Sequence, residues 1–111
     1  NDSGRFTVGA GDDLQIYHDG SHSRIVDSGT GDLVIASSRV HMLNAAQNAV
    51  MLNAIDAGAV QLYHNGNKKL DTTSGGIEVT GSVTATSFSG SGANLTGLPA
   101  GFSELDAALF N

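Results

Sequence analysis

Four histidines, at 18, 22, 41 and 64, and the aspartates at 12, 13, 19, 27 and 32 are the residues of this chain best suited to chemistry. Imidazole and carboxylate groups hold a metal ion or move a proton when several of them converge at fixed distances. The spacing here argues against convergence. His18 and His64 each end a short alternating run, with no second ligand two residues away on the same strand face. The bland reading is a strand-end histidine bonding the turn beside it. "GAGDDL" at 9–14 resembles one unit of a glycine–aspartate β-roll, but it occurs once, and calcium loops need oxygen ligands at set intervals. Turn-forming, solubilising aspartates are the better account. No nucleophile stands beside a base in a recognisable context, no glycine-rich phosphate loop opens a helix, and no His/Glu metal motif occurs. The sequence therefore predicts no catalytic residue, no cofactor-binding residue and no metal ligand, and the chain is not read as an enzyme. Asn94, Leu95 and Thr96 form a glycosylation sequon, relevant only to a protein made in a secretory pathway. Tyr17 and Tyr63 have the rings to stack on sugars, although such tyrosines more often cover the outside of a sheet.

The elements that carry these residues are written twice. "IYHDG" at 16–20 returns as "LYHNG" at 62–66. Asp-Gly and Asn-Gly tolerate the positive φ angles of a tight hairpin turn, and the residues before each alternate as a strand does. Leu14, Gln15, Tyr17 and Gly20 correspond to Val60, Gln61, Tyr63 and Gly66. Past the turn, Gly31, Leu33 and Ile35 correspond to Gly75, Ile77 and Val79, with the second copy two residues shorter near the turn. A repeat of this length is the mark of stacked units rather than of one compact domain.

Alternation predicts strands at 14–18, 23–27, 32–36, 39–43 and 50–55, a second hairpin over 59–72, and further strands at 76–80 and 82–88. Residues 44–49 read as a bend. A helix over 42–55 is the alternative, since Met, Leu, Ala and Gln favour it, but Asn recurs at 44, 48 and 53 and no cap precedes it. Residues 1–13 are polar and glycine-rich, with Phe6 and Val8 the only sizeable apolar side chains. The organisation expected is a repeat-containing β shaft over 1–79 (copies near 14–35 and 60–79), a Gly/Ser/Thr-rich β connector over 80–101, and a short helix over 102–111. Ser103 would cap that helix, Glu104 and Asp106 would suit its first turn, and Leu105 and Leu109 would share a face. Two turns of helix do not stand alone in water, so it would pack on copies of itself.

Composition points the same way. The chain has 111 residues, 40% of them apolar, with 15 Gly, four Phe, two Tyr, no Trp and no Cys. Small side chains bury little area each, at roughly 25 cal/mol per Å², so a lone chain makes a thin core and several chains sharing one core are expected. A net charge of −6 with five Lys and Arg disfavours nucleic acid, and no apolar stretch is long enough to span a bilayer. Asn1 stands where a full reading frame would have Met, as in a processed product or a piece of a longer protein.

"GDDLQIYHDGSHSRIVDSGTGDLVI" (11–35) and "GAVQLYHNGNKKLDTTSGGIEVTGSVTATSFSGSGANLTGLPAG" (58–101), in that order, resemble a repeat family of phage tail fibres and related virion appendages, abundant in phages of marine cyanobacteria. Residues 36–57 fit by position, and the closing "FSELDAALFN" lies outside the resemblance. It implies an all-β, elongated homotrimeric fibre of intertwined β-helix or β-prism type, built from hairpin repeats, with no enzymatic activity. The implied role is mechanical, to support host attachment from a virion. Implied partners are its own copies, other fibre or baseplate proteins and a host surface glycan. Trimeric fibres sometimes gather histidines on a threefold axis, which makes His18 and His64 the residues to watch. Leu14, Ile16, Leu33, Ile35, Val60, Leu62, Ile77 and Val79 are expected to point inwards, and open strand edges make a stable monomer unexpected. The runner-up is a subunit of an extracellular filament on a bacterial surface, polymerising by strand donation. A third reading is a carbohydrate-binding adhesin domain, against which the few aromatics count.

Overall fold

The computed structural model describes residues 2–98. Among them the chain is all-β, with eight strands and no helix: β1 (Arg5–Val8), β2 (Leu14–His18), β3 (Ser23–Asp27), β4 (Arg39–Leu43), β5 (Val50–Ile55), β6 (Val60–His64), β7 (Asn67–Thr73) and β8 (Gly76–Val79). They form two antiparallel meanders, β1-β2-β3 and β4-β5-β6-β7-β8. The chain divides into two units, one ending at Thr80 and the other beginning at Gly81. Both sheets belong to the first.

The turns explain the meanders. Asn65 and Gly66 stand at φ 50° and 80°, the left-handed pair of a type I′ turn, and join β6 to β7 with His64 opposite Asn67. The first copy turns differently. Asp19, Gly20, Ser21 and His22 make a four-residue loop closed by Asp19 N–H donating to the His22 carbonyl at 3.0 Å. The carboxylate of Asp19 also accepts from the N–H groups of Ser21 (2.9 Å) and His22 (2.7 Å), a side chain standing in for backbone. The two residues missing from the second copy are the difference between these turns. The second copy also carries a bulge, so that Leu62 faces Leu70 although Tyr63 faces Lys68. Lys69 is the extra residue, and Leu70 takes the place that Ile25 holds opposite Ile16.

Between β4 and β5 the expected bend is built by Asn44, whose side-chain oxygen accepts from the N–H groups of Asn48 and Ala49, each at 3.0 Å. Strands therefore replace the alternative helix over 42–55. β1 was not expected from its glycine-rich surroundings. Two apolar residues are too few to display a period, yet Phe6 and Val8 align with Ile16 and Leu14 on one face of the sheet.

Two expected strands are not formed. Residues 32–36 make no ladder, and neither do 82–88. A strand is a paired element, and alternation alone supplies no partner. Gly81 at φ 120° and Gly90 at φ 139° turn the chain on either side of 82–88, and no other strand occurs among the described residues of that unit. The short helix expected at 102–111 lies outside the described residues, as does the end of the connector from 99 onwards.

Each sheet is a single layer. Strands touch only their neighbours within a sheet, and no strand of one sheet packs on the other. Among the described residues no apolar side chain is buried.

Candidate functional site

The pairing sorts the second sheet into rows. Met42, Leu52, Leu62, Leu70 and Val79 lie in one line across all five strands. Val40, Ala54 and Val60 continue that face, with Ile77 beside Thr72 near its far edge. The next line, His41, Asn53, Gln61, Asp71 and Glu78, projects from the opposite face, because successive side chains alternate. One face is largely apolar and the other polar.

The polar row is a connected network. Asn53 Nδ2 donates to Gln61 Oε1 at 3.0 Å, and the Tyr63 hydroxyl donates to the same oxygen at 3.1 Å. Gln61 Nε2 donates to Asp71 Oδ1 at 3.2 Å, and Lys68 Nζ to Asp71 Oδ2 at 2.9 Å. The hydrogen bond from Lys68 holds the Asp71 carboxyl below its ordinary value against partial desolvation, with Gln61 adding to it. Asn53 is 7% exposed, the only buried side chain among the described residues, and its Oδ1 has no partner. Sequence reasoning passed over this row. The signal available was Gln at the same place in both repeats and a lone Asn interrupting the apolar run of β5.

The first sheet repeats the division. Phe6, Val8, Leu14, Ile16 and Ile25 share one face with His18, while Arg5, Thr7, Gln15, Tyr17 and Arg24 share the other. Arg5 lies 3.7 Å from the centroid of the Tyr17 ring and donates to Gln15 Oε1 at 2.8 Å. One face of Tyr17 is thus covered by a guanidinium, and Tyr63 is tied into the polar row. Tyr17 therefore does not present two free ring faces, and Tyr63 is held through its hydroxyl. Asp19 is drawn to a pKa of about 2, first by the hydrogen bond from Arg24 and then by the N–H groups of His22 and Ser21.

The histidines stay apart. His18 Nδ1 is 3.1 Å from Ser23 Oγ, and His22 Nδ1 is 3.9 Å from Asp19. His41 stands opposite Asn53 and His64 opposite Asn67. The side chain of Asp13 packs so close to Gly9 and Gly29 that a Cβ on either glycine would collide with it, with its carboxylate at Gly9 and its Cβ at Gly29. Among the described residues no three His, Asp or Glu side chains come together as metal ligands. A shallow depression of about 390 Å³ is lined by Ala57, Gly58, Ala59, Thr72, Thr73 and Ser74, none of them an acid or a base.

The extensive feature is therefore the pair of apolar faces. Ile16 is 44% exposed, Leu62 42% and Ile77 66%. Of the eight residues expected to point inwards, Leu14, Ile16, Val60, Leu62, Ile77 and Val79 lie on these faces, while Leu33 and Ile35 fall in the unpaired segment. Among the described residues nothing covers them. Compared with protein families, curated proteins and solved structures, the chain matches none.

Proposed function

We propose that this chain is a segment of an elongated homotrimeric β-fibre, the shaft of a virion tail fibre or related appendage, whose work is to support host attachment. The observation that carries the reading is the single-layer sheet whose one apolar face is left bare among the described residues. Apolar patches of this extent call for cover, and copies of the same chain supply it most simply. Three thin sheets set around one axis pool what each lacks, with the polar rows turned to water. The resemblance of 11–35 and 58–101 to tail-fibre repeats is what attaches this architecture to a virion. Other fibre or baseplate proteins would continue the shaft, and a host glycan would be met at its tip.

A specific observation also favours the second reading, a surface filament that grows by strand donation: an apolar unpaired segment, 32–36, accompanies open sheet edges. Closure separates the two, since a ring has a fixed mass and an open chain of donors does not. Light scattering after size exclusion, over a range of concentrations, is the test. A constant mass of three chains supports the fibre. Polymers of no fixed mass support the filament, and a monodisperse monomer overturns both.

A further inference from the structure

We propose that residues 32–36 form a strand in trans, adding to the open edge of β3 in a neighbouring copy of the chain. The inference rests on the assembly proposed above and names the segment that crosses between copies.

The internal repeat supplies the first argument. In the second copy, β8 folds back on β7 through Ser74 and Gly75, with Thr73 opposite Gly76, Asp71 opposite Glu78 and Leu70 opposite Val79. Counted back from Gly31 and Asp32, which stand where Gly75 and Gly76 stand, without the extra residue Lys69 of the bulge, the same hairpin in the first copy would set Val34 opposite Asp27 and Ile35 opposite Val26. That ladder is missing. The reason lies at one position. Gly76 closes its hairpin at φ 143°, where side chains are rarely tolerated, and the first copy has Asp32 in its place. Ser28 N–H meanwhile donates to the Asp13 carbonyl at 2.8 Å, which carries the chain on along β2 instead of turning it back.

The vacancy on β3 is the second argument. The bonds from Ser28 to Asp13 and from Asp19 to His22 mark the pairs that face β2. Antiparallel alternation then turns the N–H and C=O groups of Ser23, Ile25 and Asp27 outwards, along an edge with no neighbour among the described residues. Leu33, Val34 and Ile35 are 46%, 76% and 66% exposed, an unbroken apolar run of the kind found in strands covered on both faces. A strand lacks an edge, an edge lacks a strand, and the turn that would join them in one chain is disfavoured. A second copy joins them without passing through Asp32, and in a ring of three the exchange closes.

Hydrogen exchange on the native particle tests the pairing. The amides of Val34 and Ala36 should exchange roughly tenfold or more slowly than in an unpaired peptide, because the β3 carbonyls hold them. Free-peptide rates in a particle of three-chain mass would overturn the strand and leave the fibre reading intact, whereas a monomeric mass removes the fibre reading itself. Chains carrying Val26→Cys and chains carrying Ile35→Cys, refolded together and mildly oxidised, test the crossing. A disulfide-linked heterodimer of the two variants is expected, since that pair falls where antiparallel side chains approach closely. Its absence in particles of native mass refutes the exchange. Adding Asp32→Gly to the Ile35→Cys chain should return the strand to its own β3 and cut the heterodimer severalfold. An unchanged yield would refute the role assigned to Asp32.

Discussion

Asp19 closes the first hairpin with its side chain, and that choice has a pH signature. Its folded pKa, about 2, lies below the ordinary 3.8, so its carboxylate favours the fold wherever it is ionised. The contribution is present above the unfolded value and lost as pH falls from about 4 towards 2. Acid titration of the thermal midpoint should show a fall over that window that Asp19→Asn lacks. Asp71 is shifted in the same direction by Lys68, so acid should loosen the polar row as well. Gln61 is the hub of that row, bonded to Asn53, Tyr63 and Asp71. Gln61→Leu removes the partner of Asn53 Nδ2 and of the Tyr63 hydroxyl and leaves Asp71 to Lys68 alone, and chemical denaturation should register a loss of about 1–3 kcal/mol. The repeat residue Gln15, bonded to Arg5 on an exposed face, should tolerate Leu with a smaller loss.

At the scale of the element, turns decide which strands meet. Gly66 stands at φ 80°, and Gly66→Ala should cost about 1–2 kcal/mol, the penalty of a Cβ in the left-handed region. Asn44 ties the β4–β5 bend through two N–H groups, so Asn44→Ala should cost about 1–2 kcal/mol in the same measurement. Most strands were legible because alternation and turn chemistry agreed. β2, β3, β4, β5, β6 and β8 fall where the pattern put them. The failures at 32–36 and 82–88 have a common cause. Alternation tells what a strand's two faces want, and a strand exists only if an edge of matching chain is within reach.

For the whole molecule the question is what covers the apolar faces. Leu62 stands in the middle of the Met42, Leu52, Leu70, Val79 row. Burial of such a side chain is worth about 1.5–3 kcal/mol, and a charge in its place reverses the sign. Leu62→Asp should therefore lower the native mass measured by light scattering. Glu78→Gln, on the opposite face of the same sheet, should leave that mass unchanged. If Leu62→Asp keeps the native mass, the apolar face is not where copies meet.

Strand pattern, the duplicated hairpin and the shortage of large core residues could all be read from the chain, because each depends on residues close in sequence. The pairing of Phe6 and Val8 with β2, the bulge at Lys69 that moves Leu70 onto the apolar face, and the polar row through Asn53 and Gln61 could not. They depend on register between strands, and a shift of one residue exchanges one face for the other. The separation of the histidines, and the bare edge left where Asp32 stands in place of glycine, were likewise decided in three dimensions, by which backbones hydrogen bonding brings side by side.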